Sequence, residues 1–345
     1  MNITPNKLFN PNGNDDTGDR TIIKGNTTGL FNLNNTKYAR AKSLYTIMIG
    51  NFRVPEKVSG LNEDSICYQK DLSDGERRAY DGILSFLIFL DSIQTVNLPN
   101  FSEYITAPEV NLILAIQTYQ EAIHSQSYAT ILESVVDANK REEIYYFWRE
   151  NEILLERNTF IGNIYQSFID EPNDVNLFKG IIWNFLLEGL YFYNGFAFFD
   201  TLADHQKMKA TDRMINYIRR DELTHVTLFT NIIKEIKKEF PEMFDEKLIY
   251  EMFTIAVEQE IKWSQFILGN AVLGINEKTI ETYTKRLAND RLRLIGLDPL
   301  YPEITENPYK HLERLQDNNG EKGNFFESTV TNYTQSSSMK GSWDF

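Results

Sequence analysis

Two strongly apolar segments, each with one acidic residue, constrain the fold of this chain more than any other feature. One is GILSFLIFLDSIQTV (residues 82–96), with Asp91 near its middle; the other is GIIWNFLLEGLYFYNGFAFF (residues 180–199), with Glu188 as its only charge. A helix that is apolar on every side either lies inside a large bundle or spans a membrane. Two asparagines interrupt the second segment, and an unpartnered carboxylate inside a bilayer is costly. We therefore predict two helices buried in a protein core and no membrane span.

Two Glu-x-x-His pairs follow these segments. Glu121 precedes His124 in EAIH, and Glu222 precedes His225 in DELTH, so two of the four histidines have a glutamate three residues earlier. Residues i and i+3 share one face of a helix, where a carboxylate and an imidazole can reach the same metal ion. One such pair is weak evidence because glutamate is common on helices, whereas two pairs are much stronger.

The spacing between the lone carboxylates and the pairs repeats in both halves of the chain. Asp91 lies 30 residues before Glu121, and Glu188 lies 34 residues before Glu222. Alone, either buried carboxylate could be explained by an ion pair or hydrogen bond to a neighbouring helix. Together they predict four antiparallel helices that project six ligands into one core, as in ferritin-like dimetal-carboxylate proteins, although the first half begins with Asp rather than Glu. Four carboxylates with one imidazole per ion suit two iron or two manganese ions.

Composition divides the chain into three parts. Residues 1–36 are rich in Asn, Gly, Thr and Asp, which predicts an extended, partly disordered segment. Residues 37–318 show long stretches of helical periodicity without strand patterns, which predicts an all-α domain. Residues 319–345 lose this periodicity, which predicts a flexible tail. Trp343 and Phe345 are unusual in a merely solvated tail.

The net charge and the cysteine content limit which binding partners and which cellular compartment we expect. The formal net charge of -14 argues against binding to nucleic acid or to an anionic membrane surface. The single cysteine, Cys67, excludes a disulfide within the chain and a Cys-based metal site, and we interpret it as a small apolar side chain. No signal peptide is evident at the N-terminus, so we expect a cytoplasmic location.

A tyrosine follows the first histidine on the same face of its helix. Tyr128 lies four residues after His124, which keeps it on the metal-facing side. Because the chain has 18 tyrosines, one interpretation is a core tyrosine with a bonded hydroxyl; the other is a redox tyrosine beside the metal ions. Phe192, Phe196 and Ile218 are predicted to form a dry pocket around the phenol, and simple core packing is compatible with that role.

At these residues the chain resembles the small, radical-carrying subunit of class I ribonucleotide reductase. The resemblance covers nearly all of residues 25–345, through LDSIQ, EAIHSQSY, LLEGLYFY, RRDELTH and NFFESTVTNY. Ferritins, acyl desaturases and bacterial multicomponent monooxygenases share the paired helices, but they resemble the chain less in the Asp of LDSIQ, in the tyrosine and in the tail. The resemblance implies a ferritin-like helical bundle that reduces ribonucleotides together with a large catalytic subunit. A homodimer is also implied, and an activating flavoprotein is left open.

The resemblance also implies roles for single residues. Tyr128 would hold the stable radical, and Asp221 would hydrogen-bond the imidazole of His124, since outer carboxylates of this kind tune a ligand histidine. The two metal ions would be held by two sets of ligands, with Glu121 bridging: Asp91, Glu121 and His124 for one ion, and Glu188, Glu222 and His225 for the other.

The tail matches the family in two places. Tyr333 matches the tyrosine that relays the radical to the large subunit. The C-terminal SWDF, with Trp343, Asp344 and Phe345, matches the segment that docks in a groove on that subunit, and aromatic anchors are suited to such docking.

One position departs from the family pattern. Family members usually carry a tryptophan just before the PE of the segment NFRVPEKV, where this chain has Arg53. That tryptophan is a proposed relay in radical transfer, and an arginine cannot be oxidised in the same way. Either the relay runs differently here, through Phe52 or a tyrosine, or the alignment is displaced, or the activity is altered.

Two other functions are compatible with the paired helices. A self-contained dimetal oxidase or oxygenase would need a substrate cavity beside the metal ions and would not need the tail. A ferritin-type storage bundle would oxidise iron without a tyrosyl signal and would assemble into shells. Tyr128 and the tail sequence disfavour both.

Overall fold

A computed structural model of the chain describes residues 2–312, and its secondary structure is helical apart from two isolated β-bridges. The all-α prediction is confirmed for this range. The α-helices are α1 (Ala39–Gly50), α2 (Leu61–Lys70), α3 (Asp74–Ser102), α4 (Pro108–Val135), α5 (Ala138–Glu150), α6 (Glu152–Asp170), α7 (Asp174–Leu186), α8 (Tyr193–Asp204), α9 (Lys209–Glu239), α10 (Glu246–Ile267) and α11 (Glu277–Leu294).

Four helical segments form the centre of the bundle. They are α3, α4, α9 and the segment that combines α7 with α8, and α3 packs along α4 while α9 packs against α4, α7 and α8. The start of α3 is fixed by a capping box, in which the Ser73 hydroxyl accepts from the Glu76 N–H at 3.2 Å and the Glu76 carboxylate accepts from the Ser73 N–H at 2.8 Å. This cap sets where α3 begins and therefore which way Asp91 faces.

The second apolar segment is buried throughout but is not one regular helix. Every residue from 180 to 200 is buried, as the sequence predicts. Between α7 and α8 the chain forms a π-helical turn, Leu187–Tyr191, which contains Glu188. A π turn is rare and is frequent at functional sites, because the wider turn changes where the following side chains point. The periodicity of the sequence gives no sign of this turn.

One described helix, α3, is long and apolar enough to cross a membrane by length and composition. In its most apolar stretch, 67% of the residues are buried against the rest of the protein. Such burial is typical of the core helix of a bundle.

The segment before α1 is extended and lies against the bundle. Arg20 pairs with Glu109 of α4 at 3.0 Å, and Lys37 pairs with Glu239 of α9 at 2.6 Å. Ile22 is buried together with the residue that follows it. At the other end of the chain, residues 313–345 lie outside the described residues, and so do the predicted roles of Tyr333, Trp343, Asp344 and Phe345.

Close packing at the π turn leads to a first prediction. A Cβ at Gly189 would lie 2.8 Å from Nε of Arg291, which donates a hydrogen bond to the Gly189 carbonyl at 2.9 Å. We expect Gly189→Ala to lower the free energy of unfolding by about 1–3 kcal/mol, the usual cost of overpacking. Chemical denaturation measures this change. Gly162→Ala in α6 is the control, since its nearest neighbour is Ile93 at 4.0 Å and no loss is expected; equal losses in both variants would contradict the prediction.

Candidate metal centre

The six side chains predicted as ligands meet at the centre of the bundle. All six are 0% exposed. Their oxygen and nitrogen atoms form two groups, each within 4.8 Å: Asp91, Glu121, His124 and Glu222 in one, and Glu121, Glu188, Glu222 and His225 in the other. The structure therefore brings the predicted residues together from four helical segments, and their role as ligands stays a prediction.

Two glutamates, not one, lie between the two imidazoles. Glu121 has Oε2 at 3.2 Å from Nδ1 of His124 and Oε1 at 3.2 Å from Nδ1 of His225. Glu222 has Oε1 at 3.1 Å from the first Nδ1 and Oε2 at 2.9 Å from the second. The resemblance implies a bridging position for Glu121 alone. Glu222 has the same place in the second Glu-x-x-His pair as Glu121 has in the first. This equivalence is the sequence signal that could have indicated a bridging position for Glu222.

Glu188 is held by amide side chains that the sequence analysis did not single out. Its Oε1 accepts hydrogen bonds from Gln94 at 2.5 Å, Gln117 at 2.8 Å and Asn184 at 3.3 Å. Gln94 follows Asp91 by three residues on α3, and Gln117 precedes Glu121 by four on α4, so both face the same core. These amides orient the carboxylate without adding charge.

The electrostatics of the cluster favour bound cations. Burial and the charge of Glu188 raise the pKa of Glu121 to about 7, and the same two causes raise the pKa of Glu222 well above its ordinary value. Although burial opposes it, hydrogen bonds with Glu222 and His225 lower the pKa of Glu188. Four carboxylates this close cannot all be ionised unless positive charge lies between them.

Several polar atoms of the cluster lie close together but form no hydrogen bond of good geometry among the described residues. They are both carboxylate oxygens of Asp91, Oε2 of Glu121, Oε1 of Glu222 and Nδ1 of His124. Buried polar atoms without partners are rare in proteins, and a bound ion is one accepted explanation. The donor set of hard oxygens with one imidazole per group fits two divalent ions such as iron or manganese.

The outer nitrogens of the two imidazoles have different partners. Nε2 of His124 lies 3.2 Å from Oδ2 of Asp221, and Nε2 of His225 lies 3.0 Å from Oε1 of Gln120. Although burial opposes it, the His124 hydrogen bond and the charge of Arg53 lower the pKa of Asp221, so the carboxylate accepts and the imidazole N–H donates. Arg53, at the position that departs from the family pattern, forms an ion pair with Asp221. Asp221 thus lies where the resemblance expects it.

Tyr128 is buried in the core on the same helix as His124. Burial together with the charge of the nearby Asp91 carboxylate raises the pKa of its hydroxyl well above the ordinary value. Phe192, Phe196 and Ile218 are buried in the same apolar core. These observations favour the redox interpretation, which stays a prediction.

The fold and this cluster define the class of ferritin-like dimetal-carboxylate proteins, with two glutamate–histidine pairs and two further carboxylates on facing helices. Comparison with known proteins gives the particular family. The family described as ribonucleotide reductase, small chain, matches residues 30–308. The chain therefore belongs to this family, as the resemblance indicated.

Individual relatives agree over almost the whole chain. The ribonucleoside-diphosphate reductase subunit beta of Treponema pallidum is 42% identical over 337 residues, which is 96% of this chain and 95% of the relative. The subunit of the same name from Halalkalibacterium halodurans is 37% identical, with 93% of each chain covered. Among solved structures, the ribonucleotide reductase R2 subunit from Clostridium botulinum has a TM-score of 0.88 and 47% identity, and covers 92% of this chain and 99% of that one.

Proposed function

We propose that the chain is the small subunit of a ribonucleoside-diphosphate reductase and works with a large subunit to reduce ribonucleotides to deoxyribonucleotides. The observation that carries the proposal is the meeting of four carboxylates and two imidazoles beside a buried tyrosine, in a chain of this family. The relatives are named as reductase subunits, so neither a self-contained oxidase nor a storage bundle is favoured. The direct test is a reductase assay in which the chain is mixed with the large subunit.

The six buried residues are proposed to hold two iron or two manganese ions. When bound, the ions together with an oxygen species supply the oxidising equivalent. Glu121 and Glu222 each present one oxygen to each side of the centre, so both carboxylates would help to hold the two ions when these are bound. Metal analysis and electron paramagnetic resonance on protein assembled separately with iron and with manganese distinguish the two metals.

Tyr128 is proposed to give up one electron and its phenolic proton and to store the radical. Burial and the charge of Asp91 raise the pKa of this phenol, and burial also raises the pKa of Asp91 itself. Asp91 is therefore suited to receive the proton. Phe192 and Phe196, whose ring centres lie 6.0 Å apart, are proposed to keep water away from the radical with Ile218.

The C-terminal tail is proposed to connect this subunit to the large subunit, with Tyr333 as the relay and Trp343, Asp344 and Phe345 as the docking end. We expect deletion of residues 326–345 to lower reductase activity at least tenfold, because a docking segment acts only through the partner. Metal content and the tyrosyl signal of the isolated subunit should be unchanged. Ser337→Ala in the full chain is the control. Full activity of the truncated chain would instead favour a self-contained oxidase.

The assembly and location are proposals that follow from family membership. We propose a homodimer in the cytoplasm, with an activating flavoprotein as a further candidate partner. Sedimentation of the purified chain tests the dimer.

A further inference from the structure

Arg53 lies at the outer end of a chain of contacts that leads to the metal centre. Its guanidinium pairs with Asp221, and Asp221 accepts from Nε2 of His124 at 3.2 Å. The opposite nitrogen of that imidazole, Nδ1, faces Glu121 at 3.2 Å and Glu222 at 3.1 Å. A guanidinium, a carboxylate and an imidazole thus form one line from the bundle surface to the centre.

The surroundings of Arg53 indicate that the ion pair with Asp221 fixes its place. Its side chain is only 9% exposed, and its Nε and Nη2 have no hydrogen-bond partner among the described residues. Besides Asp221, its Nη1 also contacts the Tyr217 carbonyl, at 3.4 Å. Burying hydrogen-bond donors that have no partner costs free energy. The ionic attraction between Arg53 and Asp221 offsets this cost.

The cavity that Arg53 lines places it on the surface side of the centre. This cavity has a volume of about 240 Å³ and is bounded by both Arg53 and Asp221. Phe52 and Tyr119 also line it, and their rings are stacked with centres 6.3 Å apart. Arginine has no electron to give at an accessible potential, so the contribution of Arg53 is charge and position.

The other imidazole provides an internal comparison. Nε2 of His225 meets Oε1 of Gln120, a neutral amide whose own nitrogen donates to the Met48 carbonyl at 3.3 Å. His225 is therefore oriented without any contact to Arg53. A loss of Arg53 should affect the two halves of the centre unequally.

We propose that Arg53 is a positioning residue of the metal centre, which acts through Asp221 to hold His124 with Nε2–H outward and Nδ1 toward the carboxylates. This inference rests on the proposed dimetal function. A carboxylate behind a ligand histidine fixes the tautomer and the ring orientation, and losing such a partner typically weakens metal affinity by 10–100-fold. Arg53 extends this effect by one residue, because without its charge Asp221 is a buried anion whose remaining side-chain partner in the described part of the chain is His124.

The test is a Mn²⁺ titration of the metal-free, full-length protein, followed by the electron paramagnetic resonance of free Mn²⁺. Wild type should bind two ions. In Arg53→Gln, we expect the affinity for one ion to fall by about 10–100-fold, while the other stays within about threefold. Arg53→Lys, which keeps the charge, should recover most of the loss. Arg213→Gln is the matched control, since this exposed arginine of α9 donates to the Ser59 carbonyl at 3.2 Å, away from the centre, and the variant should bind both ions normally.

The outcomes separate this inference from the proposed function. Failure of the wild type to bind two ions overturns the proposed dimetal function, and the inference with it. Two ions bound with wild-type affinity in Arg53→Gln, or both weakened equally, would overturn the inference alone. Circular dichroism of the metal-free variants checks the fold, and Arg53→Met replaces Arg53→Gln if the latter does not fold.

Discussion

Glu222→Ala is expected to remove both metal ions from the protein, not one, and Glu121→Ala is expected to do the same. Each of these carboxylates places one oxygen within 3.2 Å of Nδ1 of His124 and the other within 3.2 Å of Nδ1 of His225. Removing either therefore takes a ligand from both ions and leaves three carboxylates. We expect the affinity for both ions to fall more than about a hundredfold, beyond the range seen for outer partners of ligands. Metal analysis after reconstitution and desalting measures the loss.

Asp91→Ala is the comparison variant for this prediction. Asp91 belongs only to the group that contains His124, and its Oδ2 lies 3.6 Å from Nδ1 of that histidine. Removal of the Asp91 carboxylate should strongly lower the affinity for one ion and leave the second ion bound. If Glu222→Ala retained one tightly bound ion, as Asp91→Ala should, Glu222 would not bridge, and the arrangement proposed here would be wrong.

The meeting of the six side chains could be predicted because each element of the pattern is local. A Glu-x-x-His pair shares one helix face, and a lone carboxylate in an apolar helix requires a partner. The chain carries this pattern of a lone carboxylate and a Glu-x-x-His pair twice, at similar spacing. Few arrangements of the helices can therefore give every one of these carboxylates and imidazoles a partner. The sequence therefore predicted both the bundle and the position of its centre.

The partners around the centre could not be predicted in this way. Gln94, Gln117 and Gln120 touch Glu188 or His225 only because of the register between helices, and glutamine is unremarkable on any helix. The contact of Arg53 with Asp221 spans 168 positions of sequence. The departure from the family pattern indicates that position 53 matters. Its partner, Asp221, is revealed only by the way the loop after α1 packs against α9.

Tyr128→Phe is expected to abolish the tyrosyl signal and to lower reductase activity by about a thousandfold or more, the scale of losing a residue that acts in the chemical step. Phenylalanine keeps the ring but has no phenolic proton to lose, so it cannot be oxidised at a comparable potential. Electron paramagnetic resonance of the reconstituted subunit and an assay with the large subunit measure the two effects. Metal content should stay at two ions, since Tyr128 is not a proposed ligand.

A second buried tyrosine separates loss of the redox group from a general effect of removing a buried hydroxyl. Tyr165→Phe is the control, because Tyr165 is also buried in the core. This variant should keep the radical and the activity. A doublet that survives in Tyr128→Phe and disappears in Tyr165→Phe would move the radical to Tyr165.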